Sequence, residues 1–134
     1  MIIVVMDGQG GGIGAAIIKG LREKFGSDAE VLALGTNSIA TSRMMKSGAN
    51  RGATGENAIV RTCQSTDVII GPVSIIIANS MMGEVTPRMS EAVSSSKAKK
   101  ILIPLTQENV AIVGVEGEPL PHMVIKAVNM LKEI

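Results

Sequence analysis

The sequence predicts an α/β domain with a three-layer, Rossmann-like architecture, in which the sheet is mostly parallel and an antiparallel edge strand lies near the C-terminus. Short apolar runs alternate along the chain with amphipathic helical runs, as expected where helices cover both faces of a parallel sheet. A glycine-rich stretch, residues 8–14, joins the first apolar run to the first helical run. The chain has 134 residues, the size of one domain, so residues 1–134 are assigned to a single domain.

Each predicted strand in the first half of the chain is followed by a helix. Apolar residues at i, i+4 spacing from Ile13 to Phe25 define the first helix, and Gly26 ends it. Asn37 or Ser38 can cap the second helix, and Thr54 can cap the third. The predicted elements are strand 2–6, helix 12–25, strand 30–34, a helix that ends at Gly48, a very short strand within 49–55, and helix 56–65.

The second half of the chain is predicted to continue the alternation. Strand 67–70 ends at Gly71-Pro72 and leads into a buried helix over 73–82, although Ser74-Ile75-Ile76-Ile77 has the composition of a strand. Thr86 as cap and Pro87 at the first helical position predict a helix to about residue 95, followed by strand 100–104.

The last predicted strand differs from the others in direction. Only residues 105–109 separate strand 100–104 from the apolar run 110–115, too few for a right-handed crossover, so run 110–115 is predicted to pair antiparallel at an edge. A final helix begins near Pro121 and carries its apolar residues on one face: Met123, Ala127, Met130, Leu131 and Ile134.

Composition excludes several classes of function. A formal net charge of +1 and a single aromatic residue provide neither the charge nor the stacking surface that nucleic-acid binding needs. One cysteine, Cys63, and one histidine, His122, cannot form a Cys/His zinc site. No apolar run approaches the roughly 20 residues that span a bilayer, and the first run lacks the flanks of a signal peptide, so a cytoplasmic protein without membrane partners is expected.

The glycine-rich stretch is the strongest candidate for a binding site. It presents backbone N–H groups and the positive end of a helix dipole, which suit an anion and most often a phosphate. The predicted binding residues here are Gly8, Gln9, Gly10, Gly11, Gly12, Ile13 and Gly14. The alternative is that these glycines only permit a tight turn and close packing of helix on strand.

Polar residues after the other strands are predicted to meet this loop at the carboxyl edge of the sheet, where open α/β sheets bind ligands. They are Thr36, Asn37, Thr54, Glu56, Asn57, Gly71 and Ser74. A nucleotide or dinucleotide is the expected cofactor class, and Mg²⁺ would enter only with a phosphate ligand. Arg51 could contact a phosphate and Glu56 or Asp7 could act as a base, whereas a capped, solvated loop over 50–57 and a helix-capping Ser74 are the structural alternatives.

The spacing Gly8, Gly12, Gly14 fits G-x-x-x-G-x-G and resembles the cofactor loop of short-chain dehydrogenases. That family uses a tyrosine and a lysine as its acid–base pair, and this chain contains no tyrosine, which excludes the mechanism. The acidic residue that holds the ribose of NAD is also missing at the end of strand 30–34, where the sequence reads Leu34-Gly35-Thr36-Asn37.

Five segments together resemble a small family of short bacterial proteins that are conserved and of unknown function. They are 3–14, Leu34-Gly35-Thr36-Asn37 with 52–59, Ile77-Ala78-Asn79-Ser80-Met81, and Ile101-Leu102-Ile103-Pro104. A second, partial resemblance lies in 67–72 with Ser74, 91–93 and 96–101, which are similar to a segment of the phospholactate transferase and gluconeogenesis-factor family. That resemblance implies a glycine-rich loop that binds nucleotide-linked phosphates.

The function expected from the sequence is therefore the binding of a nucleotide or another phosphorylated metabolite by a homo-oligomer, with nine methionines available for an adaptable subunit surface. Two alternatives remain at this point. One is a non-catalytic interaction or regulatory subunit whose glycine loop is structural. The other is a small phosphotransfer or sugar-phosphate enzyme.

Overall fold

The computed structural model describes residues 1–131 and contains a five-stranded sheet in the order β3-β2-β1-β4-β5, with each neighbouring pair parallel. The strands are β1 Ile2–Asp7, β2 Glu30–Gly35, β3 Arg51–Thr54, β4 Val68–Pro72 and β5 Lys99–Ile103. The helices are α1 Gly12–Phe25, α2 Ser38–Lys46, α3 Glu56–Thr62, α4 Pro87–Ser95 and α5 Leu120–Asn129. Single 3₁₀ turns follow α1 at Gly26–Asp28 and β4 at Val73–Ile76. The predicted α/β class with a parallel sheet is confirmed.

Side chains of the central strand alternate between two hydrophobic cores, because successive residues of a strand point to opposite faces of the sheet. Ile3 and Val5 pack with α1, α2 and α5, whereas Val4 and Met6 pack with α3 and α4. All four side chains are fully buried. The strand is therefore apolar at successive positions, as its sequence indicated.

Two helix starts follow the capping chemistry expected from the sequence. The side chain of Asn37 accepts a hydrogen bond from the Ala40 N–H at 2.9 Å, and the hydroxyl of Thr86 accepts one from the Met89 N–H at 3.2 Å. Pro87 occupies the first position of α4, where its missing N–H costs nothing. These two caps fix the directions in which the chain leaves the carboxyl edge of the sheet.

The prediction of a helix over 73–82 is wrong. After the single turn Val73–Ile76 the chain becomes extended at Ile77, and Asn79, Met81 and Met82 adopt left-handed backbone angles, with φ of 65°, 55° and 57°. The hydroxyl of Ser80 donates to the carbonyl of Ser74 at 2.6 Å and thereby ties the turns together. Three consecutive β-branched residues disfavour continuation of the helix. Asn79 is exposed in this loop.

The prediction of an antiparallel edge strand over 110–115 is also wrong, because β5 is the last strand on its side of the sheet within residues 1–131. The hydroxyl of Thr106 lies 2.7 Å from that of Ser74, and the Glu108 carboxylate accepts a hydrogen bond from the Met81 N–H. These contacts hold the chain beside the β4 loop after it leaves β5, instead of returning it along β5. Every residue of 109–117 is exposed.

The C-terminal helix begins at Leu120, next to the predicted start, and Met123 and Ala127 are buried on its inner face. The prediction is wrong for Met130, which follows the end of the helix at Asn129 and is 54% exposed, whereas Leu131 is buried. Ile134, which was placed on the same face, lies outside the described residues. No helix in residues 1–131 is both long and apolar enough to cross a membrane.

Cys63 lies at the end of α3 in the core beneath α4 and is 1% exposed. Burial raises the pKa of its thiol to about 11, although the nearby Lys100 charge acts in the opposite direction. A protonated, buried thiol is a poor nucleophile, so Cys63 acts as a small core residue.

Candidate functional site

A cleft of about 570 Å³ opens at the carboxyl edge of the sheet, between the loop after β1 and the loops after β4 and β5. β1 and β4 are neighbours whose connections leave toward opposite faces, because α1 packs on one face and α4 on the other. Such a point of reversal is where open α/β sheets bind ligands. The lining residues are Asp7, Gly8, Gln9, Gly10, Gly11, Gly12, Ile13, Pro72, Ser74, Asn79, Met81, Met82, Leu105, Thr106, Gln107 and Glu108.

Some glycines of the loop are required by the packing of the fold itself. Gly11 has a left-handed φ of 74°, and a Cβ there would lie 2.8 Å from the backbone Cα of Ala40. At Gly14 a Cβ would lie 2.5 Å from the Met44 sulfur and 2.9 Å from the Asp7 Cβ. Glycine at these positions allows α1 to approach α2 and β1 closely. The structural interpretation of the loop is therefore correct for these two residues.

Gly10 and Gly12 differ, because the fold leaves room for a side chain at both. A Cβ would have the Nη1 of Arg43 as its nearest neighbour, at 4.0 Å for Gly10 and 3.4 Å for Gly12, and neither residue has a left-handed φ. Their N–H groups make no hydrogen bond within residues 1–131. The exposed guanidinium of Arg43 donates a long hydrogen bond of 3.4 Å to the Gly10 carbonyl. Two free donors and a cation thus lie side by side.

The Asp7 carboxylate lies beneath the loop and is 3% exposed. It accepts hydrogen bonds from the N–H groups of Gly8 at 2.8 Å and Gly14 at 2.7 Å, so it caps α1 from inside the protein. Burial raises the pKa of this carboxyl above its ordinary value, even though the N–H donors favour the ionised form. The N–H of Gly14 is therefore occupied, and an external anion would meet those of Gly10 and Gly12 instead.

The Glu84 carboxylate connects three loops: its own, before α4, and the loops after β1 and β2. Its Oε1 accepts hydrogen bonds from the Gln9 N–H at 2.8 Å, the Thr36 hydroxyl at 2.7 Å and the Asn37 side-chain amide at 2.8 Å. Burial by itself would raise the pKa of Glu84, but the hydrogen bonds from Gln9, Thr36 and Asn37 outweigh it and lower the pKa. Glu84 therefore fixes the loops after β1 and β2 to the loop before α4.

The predicted binding residues Thr36 and Asn37 are consequently occupied within the protein. Besides its bond to Glu84, the Asn37 side chain donates to the Gln9 carbonyl at 2.9 Å and accepts from Ala40. Neither Thr36 nor Asn37 lines the cleft. They position the glycine loop instead of facing its open side.

Of the remaining predicted residues, only Ser74 lines the cleft, and the others lie in β4 or near β3 and α3. Ser74 lines the cleft, 4% exposed, with its hydroxyl against that of Thr106. Gly71 lies in β4, where a Cβ would come within 2.4 Å of the Met6 carbonyl oxygen. Three others do not line the cleft: Thr54 is bonded to Thr41, Glu56 is bonded to Thr86 and Arg88, and Asn57 is exposed on α3. Arg51, on β3, is paired with Glu30 at 3.5 Å.

Comparison with protein-family models matches residues 2–134 to the family described as Domain of unknown function (DUF3842). The chain belongs to this family. The match confirms the resemblance to a family of unknown function that the five sequence segments indicated. A search of curated proteins found no match. Among solved structures, this DUF3842 chain is similar to a dodecameric FMN-dependent UbiX-like decarboxylase from Escherichia coli O157:H7. The two are 18% identical, over 96% of this chain and 74% of that one, with a TM-score of 0.47, a value too low to support conclusions about ligand or assembly.

Two carboxylates that shape the site of this DUF3842 chain were not predicted as site residues from the sequence: Glu108 lines the cleft, and Glu84 lies outside it and fixes the glycine loop. Glu84 lies 75 residues from Gln9 and 48 from Thr36, and Glu108 lies 27 residues from Met81. Such separations leave no periodic signal in the sequence. The run Thr106-Gln107-Glu108 after β5 carries the general signal that marked the other loops, namely polar residues directly after a strand. Within residues 1–131, no group of three or more His, Cys, Asp or Glu side chains is arranged to hold a metal.

Proposed function

We propose that this chain binds a phosphorylated small molecule of the nucleotide class in the cleft between the β1 and β4 loops, with the phosphate held by the N–H groups of Gly10 and Gly12. The observation that supports this is that both residues are glycine although the fold has room for a side chain at each. Close approach of an external ligand to the backbone would explain why both positions are glycine.

The charges beside the loop favour an anion at the same place. The Arg43 guanidinium lies next to Gly10 and Gly12, and its exposure leaves further N–H donors free for a ligand. A phosphate there would accept charge-assisted hydrogen bonds from Arg43 in addition to those from the backbone. Because the buried Asp7 carboxylate beneath the loop opposes an external anion, the Arg43 charge is an important part of the proposed site.

Isothermal titration calorimetry with NAD(H), NADP(H), ATP, GTP, UDP-sugars and FMN tests the proposal directly. We expect saturable binding of at least one compound. Arg43→Ala should weaken that binding by roughly tenfold, the effect of losing a charge-assisted hydrogen bond. Lys46→Ala, which removes the same charge from an exposed position of α2, is the matched control and should bind as wild type does. Gly12→Asp should abolish binding because it adds a carboxylate where the phosphate would lie.

Two results would contradict the proposed site. Saturable binding of none of these compounds would favour the alternative of an interaction subunit with a structural glycine loop. Wild-type affinity in both Gly12→Asp and Arg43→Ala would place the ligand elsewhere on the molecule.

We also propose that the chain forms a homo-oligomer through the apolar run 110–115. Val110, Ile112, Val113 and Val115 are between 41% and 101% exposed, and contiguous apolar residues of this kind usually mark an interface. The proposed partner on this surface is a second copy of the chain. The run lies next to β5, which is an edge strand of the sheet within residues 1–131, and a strand from the second copy could pair with that edge.

Light scattering after size-exclusion chromatography tests the oligomer. The wild type should have at least twice the mass of one chain, and Val113→Asp should lower it. Asn109→Asp introduces the same charge in the same exposed segment and should leave the mass unchanged. A monomeric wild type would contradict this part of the proposal.

A further inference from the structure

We infer that the ligand is a phosphate monoester of mononucleotide size, and that its organic part lies over the β4 and β5 loops and not over β2. This inference rests on the proposed function and adds a substrate class to it. Two independent features support it: the space over β2 is filled by the protein, and the cleft on the other side lacks positive charge.

The space between the ends of β1 and β2 is closed. A Cβ on Gly8 would lie 2.4 Å from the Thr36 hydroxyl, 2.6 Å from the Met81 sulfur and 3.1 Å from the Glu84 Oε1. In dinucleotide-binding folds, an acidic side chain at the end of the second strand holds the adenosine ribose at this place. Here the carboxylate comes from Glu84, and its Oε1 is used by Gln9, Thr36 and Asn37.

The cleft is correspondingly asymmetric. Its walls come from the loops after β1, β4 and β5, and the loops after β2 and β3 contribute none of the lining residues. The volume of about 570 Å³ lies within the roughly 300–1,000 Å³ typical of small-molecule sites. A ligand with its phosphate at Gly10 and Gly12 can therefore extend only toward Ser74, Met81 and Thr106.

The charges along that path determine how many phosphates fit. The charged side chains that line the cleft are Asp7 and Glu108, and no lysine or arginine of residues 1–131 is among the lining residues. A second or third phosphate would face carboxylates without a cation, which is unfavourable in a partly enclosed cleft. Only the phosphate next to Arg43 would be compensated.

The same lining residues suit a ligand whose organic part is uncharged and carries hydrogen-bond donors. Met81, Met82, Leu105 and Pro72 offer apolar contact for a ring. The Oε1 of Glu108 accepts from the Met81 N–H at 2.7 Å, and its Oε2 remains without a donor among residues 1–131. A sugar hydroxyl or a ring N–H could donate to that oxygen. A nucleoside or flavin monophosphate combines these features.

Calorimetry on the wild type with AMP, ADP, ATP, UMP, UDP, FMN, FAD and NAD tests the inference. At least one monophosphate should bind tenfold or more tightly than the diphosphate, triphosphate or dinucleotide that contains it. Glu108→Gln should reduce this preference at least threefold by removing the opposing charge. Glu91→Gln, which neutralises an exposed carboxylate on α4, should leave the preference unchanged.

The results separate this inference from the proposed function. If a dinucleotide or diphosphate binds as tightly as its monophosphate and the binding is lost in Gly12→Asp, the phosphate site stands and the size restriction is overturned. An unchanged preference in Glu108→Gln would overturn the electrostatic explanation. If neither these eight compounds nor GTP, NADP(H) or UDP-sugars bind, the proposed function itself fails.

Discussion

The two sides of the carboxyl edge carry similar polar residues but use them differently. On the β2–β3 side, Thr36, Asn37 and Glu56 are bonded to other loops of the same chain. On the β4–β5 side, Ser74 and Thr106 pair with each other at the wall of an open cleft. The polar residues are paired on both sides, and the difference is that only the pair on the β4–β5 side borders open space.

The largest expected effect is the difference in stability between substitution of Gly11, which the packing requires to be glycine, and substitution of Gly12, where the fold has room for a side chain. Gly11→Ala should lower the free energy of unfolding by about 2–4 kcal/mol, because it combines a left-handed φ with a contact to the Ala40 backbone. Gly12→Ala has no such conflict and should change the free energy by about 1 kcal/mol or less. Urea unfolding measures both. Equal losses in the two variants would remove the distinction between Gly11 and Gly12 on which the proposed phosphate site depends.

A smaller effect is expected at the Glu84 bridge. Glu84→Ala should cost about 1–3 kcal/mol of unfolding free energy, because the donors of Gln9, Thr36 and Asn37 lose their common acceptor. Glu84→Gln keeps an acceptor oxygen and should lose less than half as much. In hydrogen exchange, the Gln9 amide should exchange faster in Glu84→Ala than in Glu84→Gln. Unchanged exchange of that amide would show that the bridge does not hold the loop in solution.

The smallest effect is the pH dependence of the two carboxyl groups on either side of the loop. The pKa of Asp7 is raised on folding, so its contribution to stability is greatest below the ordinary carboxyl pKa of about 4 and falls as pH rises through the folded value. The pKa of Glu84 is lowered, so its contribution is present above about 4 and is lost as pH falls through the folded value.

Unfolding of Asp7→Asn and Glu84→Gln at a series of pH values checks these signs. The stability of wild type relative to Asp7→Asn should decrease with rising pH, whereas its stability relative to Glu84→Gln should increase. Parallel trends in the two variants would mean that the opposite environments of these carboxyl groups are wrongly assigned.

Local signals were sufficient to predict much of the fold. The periodicity of α1, the caps at Asn37 and Thr86 and the apolar strand runs each depend on neighbouring residues, and the helix Gly12–Phe25 has the predicted bounds. The segments 73–82 and 110–115 were predicted wrongly because their apolar residues suit either regular structure. Their course depends instead on the bond from Ser80 to Ser74 and on the long-range bonds of Thr106 to Ser74 and of Glu108 to Met81.

The candidate site was harder to predict than the fold. Sequence spacing found the glycine loop, but it could not separate Gly10 and Gly12 from Gly11 and Gly14, because that distinction depends on how closely α2 approaches. It also could not show that Thr36 and Asn37 are engaged by Glu84, which is more than 40 residues away. Tertiary contacts therefore determine which of the predicted residues face the cleft.

The burial of Cys63 makes this chain a natural reporter of its own opening motions. It is the single cysteine of the sequence, and its thiol, with a pKa of about 11, is shielded by α4 in the folded protein. A thiol reagent can label it only when this part of the core opens, so the labelling rate measures the population of open molecules. Binding of the proposed ligand at the carboxyl edge of the sheet can thus be followed as protection of Cys63, a residue that does not line the cleft.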